Sequence, residues 1–218
     1  MHIEILVEDS SGEKLLDAVL PKILGDQGDP HTWRTHAYKG IGRIPKNLSG
    51  TTDPEKRILL DQLPRLLQGY GKTPGIDAVV VVLDSDYRDC AQFLVELKAV
   101  AAGCDPAPTT LFRLAIEEVE AWYLGDRQAL EQAYPRARRD VLNRYVQDSV
   151  CNTWELLADA VYPGGSAAIK TAGWPLPGQI KHEWAQIIGP SLDPEQNASP
   201  SFIKLRDGLR DLATEDAG

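Results

Sequence analysis

The sequence predicts an α/β protein built around a parallel sheet, Rossmann-like in its core, with a helical extension at the C-terminal end. Three observations predict it. Short apolar runs alternate with segments of helical period over the first ~130 residues, the pattern that parallel sheets require. Ala78–Leu83 (AVVVVL) is continuous, β-branched and short, as a central strand buried on both faces should be. The chain is 218 residues long, enough for one sizeable core with an appendage and too short for two domains of ordinary size.

In chain order, His2–Val7 (HIEILV) reads as a buried strand ending at Glu8-Asp9. Ser10-Ser11-Gly12 offers a turn and helix cap, and Leu15, Leu16, Val19, Leu20, Ile23 and Leu24 then recur at helical spacing, with Pro21 expected to disturb the helix locally. Thr32–Tyr38 reads as a second strand entering the loop Lys39-Gly40-Ile41-Gly42-Arg43-Ile44-Pro45-Lys46. Ile58, Leu59, Leu63, Leu66 and Leu67 mark an amphipathic helix closed near Gly69. Ala78–Leu83 stops at Asp84-Ser85-Asp86. A helix from about Asp89 to Ala102, a strand over Thr110–Ala115 and an acidic helix Glu117–Leu124 complete a core spanning 1–130. Over 131–218 the pattern loosens. Lys181–Ile188 and Phe202–Leu212 read as short helices of an extension packed on the core, and Tyr162–Gly165 and Trp174–Gly178 as loops.

Composition bounds the function. Hydrophobic residues at 43% and charged residues at 25% are globular values. No apolar run approaches the ~20 residues of a membrane helix, and the N-terminus lacks the basic region of a signal peptide, so a cytoplasmic protein without a membrane partner is expected. Cys90, Cys104 and Cys151 form no zinc-type spacing and are expected to stay reduced. The net charge of −9 argues against a generic basic coat for nucleic acid, but it is unevenly placed. Residues 1–30 hold two bases and seven acids, 31–75 eight bases and three acids, and 76–131 four bases and eleven acids.

Two glycine-rich stretches are decoys. Gly69-Tyr70-Gly71-Lys72-Thr73 ends like a P-loop, but Leu66 stands where the first Gly is needed and the loop follows a helix instead of a strand. Gly40-x-Gly42 continues to Pro45 where a dinucleotide fingerprint needs Gly.

The acids at strand ends carry more. In open α/β sheets ligands sit beyond the carboxyl ends of the strands. Asp84 and Asp86 leave such an end as an i, i+2 pair that can face one hard cation, although D-x-D also serves as a common turn and helix cap. Glu8 lies at another strand end. Holding it beside Asp84 and Asp86 requires a cation or strongly raised pKa values. Glu117 and Glu120, after a third strand, are i, i+3 and expected on one helix face, with Glu118 pointing elsewhere.

The order strand–Glu, strand–DxD, acidic element resembles the Toprim fold of primases, topoisomerases and OLD-family nucleases. It is most similar to a prokaryotic Toprim-like family related to the OLD nucleases. The matching stretches are VEDSSGEKLL (Val7–Leu16), YKGIGRIPKNL (Tyr38–Leu48), LLDQLPRLLQGYG (Leu59–Gly71), VVVVLDSDYRDC (Val79–Cys90), AIEEVEAWYLGD (Ala115–Asp126) and SPSFIKLRDGL (Ser199–Leu209). Asp9 stands where the Toprim Glu is usually followed by Gly, and no topoisomerase tyrosine site stands out. The resemblance implies Mg²⁺- or Mn²⁺-dependent phosphoryl transfer on nucleic acid. Glu8, Asp84 and Asp86 would be catalytic, and the same three with Glu117 and Glu120 would hold metal. A separate ATPase partner and a role in defence against mobile DNA are further implications. Lys39, Arg43 and Lys46 lie on a Gly-flanked loop suited to a phosphate backbone, and read equally well as ordinary surface bases.

Two alternatives remain open from sequence. A haloacid-dehalogenase-like phosphatase places D-x-D after a strand with the first Asp as nucleophile, but expects Thr or Val where Arg88 stands. A non-catalytic Toprim-like subunit of a separate ATPase would also show these motifs.

Overall fold

The structure is a computed structural model describing residues 1–45, 54–149 and 152–215. Lys46, one of the three expected phosphate contacts, and Cys151 lie outside the described residues.

The described residues form one four-stranded, wholly parallel sheet in the order β2-β1-β3-β4: β1 His2–Val7, β2 Thr32–Ala37, β3 Ala78–Asp84 and β4 Thr110–Ala115. Val7 stands opposite Val82, and Asp84 opposite Ala115. As expected of its unbroken apolar run, β3 is central and buried from Ala78 to Leu83.

Alternation along β1 and β3 divides the interior in two, because successive side chains leave a strand on opposite faces. Ile3, Ile5, Val7, Val80 and Val82 join helix α1 (Ser10–Leu24) and the C-terminal helices in one hydrophobic cluster. Leu6, Val79, Val81 and Leu83 join α2 (Leu59–Gly71) and α3 (Cys90–Ala102) in the other. The connection leaving β1 therefore crosses one face and that leaving β3 the other. The β1/β3 boundary is a topological switch point, where such sheets open a crevice at their carboxyl edge.

Local chemistry explains most element boundaries. Asp9, not the serines after it, caps α1, its Oδ1 accepting from Gly12 N at 2.8 Å and Ser11 Oγ at 2.7 Å. Pro21 does not end α1, which runs on to Leu24 and closes at Gly25 with φ 89. Asp89 caps α3 through Gln92 N at 2.8 Å, so neither acid of the D-x-D pair serves as that helix's cap.

The largest departure from expectation is after β4. The chain makes a tight turn, with Glu117 at φ 60, and helix α4 begins only at Glu120, running to Gly125. Glu117 and Glu120 therefore share no helix face. Beyond it lie α5 (Arg127–Ala133), α6 (Arg139–Leu142), α7 (Thr153–Val161), α8 (Gly165–Ala172), α9 (Leu176–Ile188) and α10 (Pro200–Glu215). The expected loops at Tyr162–Gly165 and Trp174–Gly178 are short connections, with Gly165 opening α8 and Leu176 opening α9.

The extension is continuous with the core. Trp122, fully buried on α4, meets Phe202 of α10 edge-on at 5.6 Å between ring centroids. Its Nε1 donates to Ser201 Oγ at 2.9 Å. Replacing Ser201 by Ala leaves a buried indole N–H without an acceptor, for which an expected cost is about 1–3 kcal/mol in a urea melt.

Candidate functional site

The carboxyl edge of β1, β3 and β4 collects an acidic centre. Glu8 follows β1, Asp84 ends β3, and Glu118 and Glu120 follow the turn after β4. Two backbone bonds fix the loops against each other: Ser85 N donates to Ala115 O at 3.0 Å and Asp86 N to Glu117 O at 2.9 Å. Asp86 and Glu117 both hold left-handed φ values, 47 and 60, which non-glycine residues adopt at a cost and which concentrate at functional sites. Asp84 Oδ1 accepts Val119 N at 3.1 Å, and Ser85 Oγ accepts Glu117 N at 2.8 Å.

The electrostatics follow from burial. Glu8 is pushed up to about 7, first by desolvation and then by the charges of Asp86 and Asp9. Glu118 also rises to about 7, through burial and the neighbouring Glu120. Burial raises Asp84 well above the ordinary carboxylate range, reinforced by Glu8 and by Glu120 and Glu118. Glu120, entirely buried, is raised by desolvation, with Lys181 opposing the shift. The hydroxyl of Tyr123, fully buried, is pushed far up by burial and by Glu120, Asp9 and Asp84.

Lys181, on α9, is the cation of this centre. Its Nζ stands 2.7 Å from Glu118 Oε1 and 3.4 Å from Glu120 Oε2. Desolvation alone would lower its pKa, but Glu120, Glu118 and Asp84 raise it overall, so it stays charged.

One ammonium does not satisfy these acids. Glu8 Oε2, Glu118 Oε2 and Glu120 Oε1 are buried without a hydrogen-bond partner, as is Tyr123 Oη. A small cavity of about 10 Å³ lies against Glu8, Asp9 and Asp84, room for one water or one ion. Orphaned carboxylate oxygens with raised proton affinity fit a hard divalent cation. Among the described residues no group of three or more His, Cys, Asp or Glu side chains is placed so that together they could hold a metal ion. Mg²⁺ usually takes only one or two protein carboxylates and keeps several waters, so an open acidic edge suits it better than a cage would.

The expected residues thus divide. Glu8, Asp84 and Glu120 come together, and Asp86 lies close enough to raise Glu8, while its own Oδ2 accepts Arg88 Nη1 at 2.6 Å. Glu117 is engaged elsewhere: its carboxylate accepts Asn152 N, and Thr153 N at 2.6 Å, holding the start of α7. Glu118, set aside by helical spacing, stands in its place because the helix starts three residues later than expected.

Lys39 and Arg43 are exposed on a loop tied to the same edge. Gly40 N donates to Glu8 O at 3.0 Å, and Arg43 N to Asp61 Oδ1 at 3.0 Å. Gly42, at φ 70, packs so closely on Ile58 and Asp61 that a Cβ there would clash, which fixes the loop on α2. Arg138, Arg139 and Arg144 are exposed and paired at the surface with Asp140 and Glu131.

Among the described residues, no helix is long and apolar enough to cross a membrane. Comparison with known proteins finds no matching family model, no matching curated protein and no matching solved structure, so the chemistry of this edge rests on its own side chains.

Proposed function

We propose that the protein is a metal-dependent nuclease, or a closely related phosphoryl-transfer enzyme, acting on nucleic acid phosphodiesters in the Toprim manner. The observation that carries this reading is the convergence of Glu8, Asp84, Glu118 and Glu120 at the switch point of a parallel sheet, with three buried carboxylate oxygens unpartnered.

Mg²⁺ or Mn²⁺, when bound, would polarise the scissile phosphate and supply a nucleophilic water at neutral pH. Asp84 and Asp86 would hold it, with Glu8 beside it as general base or acid and Glu120 and Glu118 available for a second position. Glu8, pushed up to about 7, is suited to exchange a proton with water near neutral pH. Lys181, permanently charged, orients Glu118 and Glu120 and offsets part of the local negative charge where a phosphate must approach. The exposed Lys39 and Arg43 would contact the backbone beside Glu8. Resemblance to OLD-like systems extends the proposal to a cytoplasmic role in defence against mobile DNA beside a separate ATPase.

Attack by Asp84 itself, as in a haloacid-dehalogenase-like phosphatase, is favoured less. Arg88 stands where that motif expects Thr or Val, and Asp84 Oδ1 is already engaged by Val119 N at 3.1 Å.

The test is cleavage of single- and double-stranded DNA and RNA with Mg²⁺ or Mn²⁺, repeated in EDTA and with Glu8→Gln and Asp84→Asn. Cleavage that needs metal and is lost in both variants is expected. Metal-independent cleavage would count against the reading, as would a covalent phosphate trapped on Asp84. Lys39→Glu with Arg43→Glu is expected to weaken binding without altering base preference and to flatten its salt dependence, by a log–log slope of about 2.

A further inference from the structure

We infer that the hollow beside β4 is a nucleotide pocket, taking one residue of the nucleic acid chain with its base inward and a phosphate at either end. The inference rests on the nucleic-acid reading above and adds the place where a nucleotide next to the cut is held.

Two cavities meet along β4. The first opens at the D-x-D turn, where Ser85, Asp86 and Glu117 border it together with Cys90, Ile116 and Asp148. The second, of about 310 Å³, is bordered by the same Cys90, Ile116 and Asp148 and reaches on to Arg113 and Lys204. Three shared residues make them one passage leading away from Asp86. Leu94, Phe112, Leu114 and Pro200 give the inner part apolar walls with few polar groups, the usual make-up of a small-molecule site. Its volume is near the lower end of the ~300–1,000 Å³ of such sites, room for one nucleotide and not for a duplex.

The backbone singles out the same passage. Among the described residues five non-glycine residues hold left-handed φ values: Arg57, Asp86, Glu117, Asp148 and Asn152. Three of them, Asp86, Glu117 and Asp148, line this passage, and Asn152 donates its N–H to the Glu117 carboxylate. Such residues cost about 1–3 kcal/mol each and gather at functional sites. Asp148, on the wall common to both cavities, is fixed through Oδ1 to Ser199 Oγ at 2.9 Å and through Oδ2 to Ser201 N at 2.7 Å.

The charges fit a nucleotide within a chain, which carries a phosphate on each side of its sugar. One phosphate would meet the metal at Asp86. The other would meet Lys204, which is exposed, and Arg113, whose guanidinium is held by Lys204 O at 2.7 Å and Phe112 O at 2.9 Å. The base is left to the apolar walls.

Cys90 is a part-exposed free thiol bordering both cavities, so its alkylation reports their occupancy. The full chain is treated with iodoacetamide in Mg²⁺ and modification of Cys90 is followed by peptide mass. The probes are the 3′,5′-bisphosphates of the four deoxynucleosides, which contain no diester to cut. At ten times its Kd, at least one is expected to slow Cys90 alkylation about 10-fold, as mass action on the free form requires. Deoxyribose 3′,5′-bisphosphate, which lacks a base, should protect little. Lys204→Ala, a change at an exposed position, should raise the half-protecting concentration about 10-fold or more, the worth of one charge-assisted contact. Protection by none of the four, or equal protection by the sugar bisphosphate, would overturn the inference. Protection by deoxynucleoside 5′-monophosphates but not by the bisphosphates would also overturn it, assigning the pocket to a free nucleotide. The cleavage assay separates the two readings. If nucleic acid is cut with metal while Cys90 stays unprotected by every probe, the pocket alone fails. If Cys90 is protected as expected and nothing is cut, the pocket stands and the nuclease reading falls.

Discussion

Replacing Glu8 by Gln is expected to abolish metal-dependent cleavage and, in EDTA at pH 8, to make the protein more stable. The two outcomes share one cause. Folding raises the Glu8 pKa from 4.5 to about 7, so the folded chain binds this proton more tightly than the unfolded chain does. A raised pKa contributes stability that is fully present below about 4.5 and is lost as pH rises through about 7. Above that, the fold carries an ionised and desolvated carboxylate beside Asp86 and Asp9, worth roughly 3 kcal/mol of destabilisation relative to its protonated form. An amide of the same shape removes this cost. At ~2–4 °C per kcal/mol for a chain of this size, Tm in EDTA at pH 8 should rise by several degrees, with little change at pH 4.5. Mg²⁺ should stabilise the wild type more at pH 8 than at pH 5, since protons and cation compete for the same oxygens, and should stabilise Glu8→Gln less. Asp84→Asn is expected to behave likewise, because Asp84 is raised by the same desolvation and by Glu8 itself. A variant that lost stability at pH 8 while cleaving normally would show that Glu8 is a packing residue.

The sheet was legible in the sequence because its signals are local. β1 and β4 have the expected bounds, and the run of valines in β3 could be read only as a buried strand. The acids at strand ends followed from the same logic, since a parallel sheet brings its carboxyl ends to one edge whatever the connections do. The expected pairing of Glu117 with Glu120 failed because it assumed that the helix starts at the first acid. Instead Glu117 takes a left-handed turn and turns its carboxylate to the start of α7, a partner some 35 residues away. Lys181 carried no local signal: it is one base on an ordinary amphipathic helix, and only the packing of α9 across α1 brings it to Glu118 and Glu120. Tyr123 and Trp122 are core, but the burial that makes Tyr123 look structural also leaves its hydroxyl unpartnered among Glu120, Asp9 and Asp84. Helices α5 to α8 were missed because each is short, between 4 and 9 residues, so their period never accumulates.

Replacing Lys181 by Met is expected to be the most damaging single change at this edge, costing about 3–5 kcal/mol at pH 8 in EDTA because it strands buried carboxylates without a counter-charge. Methionine preserves the apolar stem, so the loss measures the ammonium. The cost should shrink at pH 5.5. Glu118 sits at about 7 even with Lys181 beside it, so at pH 5.5 it is mostly protonated and depends less on the ammonium. Urea denaturation at the two pH values checks this. A cost equal at both would assign Lys181 to packing instead of charge. Mg²⁺ provides the second half of the argument. The wild-type centre already holds one positive charge, whereas Lys181→Met offers Glu118 and Glu120 with none, so added cation should recover more stability in the variant than in the wild type. Recovery of stability without recovery of cleavage would show that a metal ion can replace the lysine as counter-charge but not as the group that sets the orientation of the two glutamates.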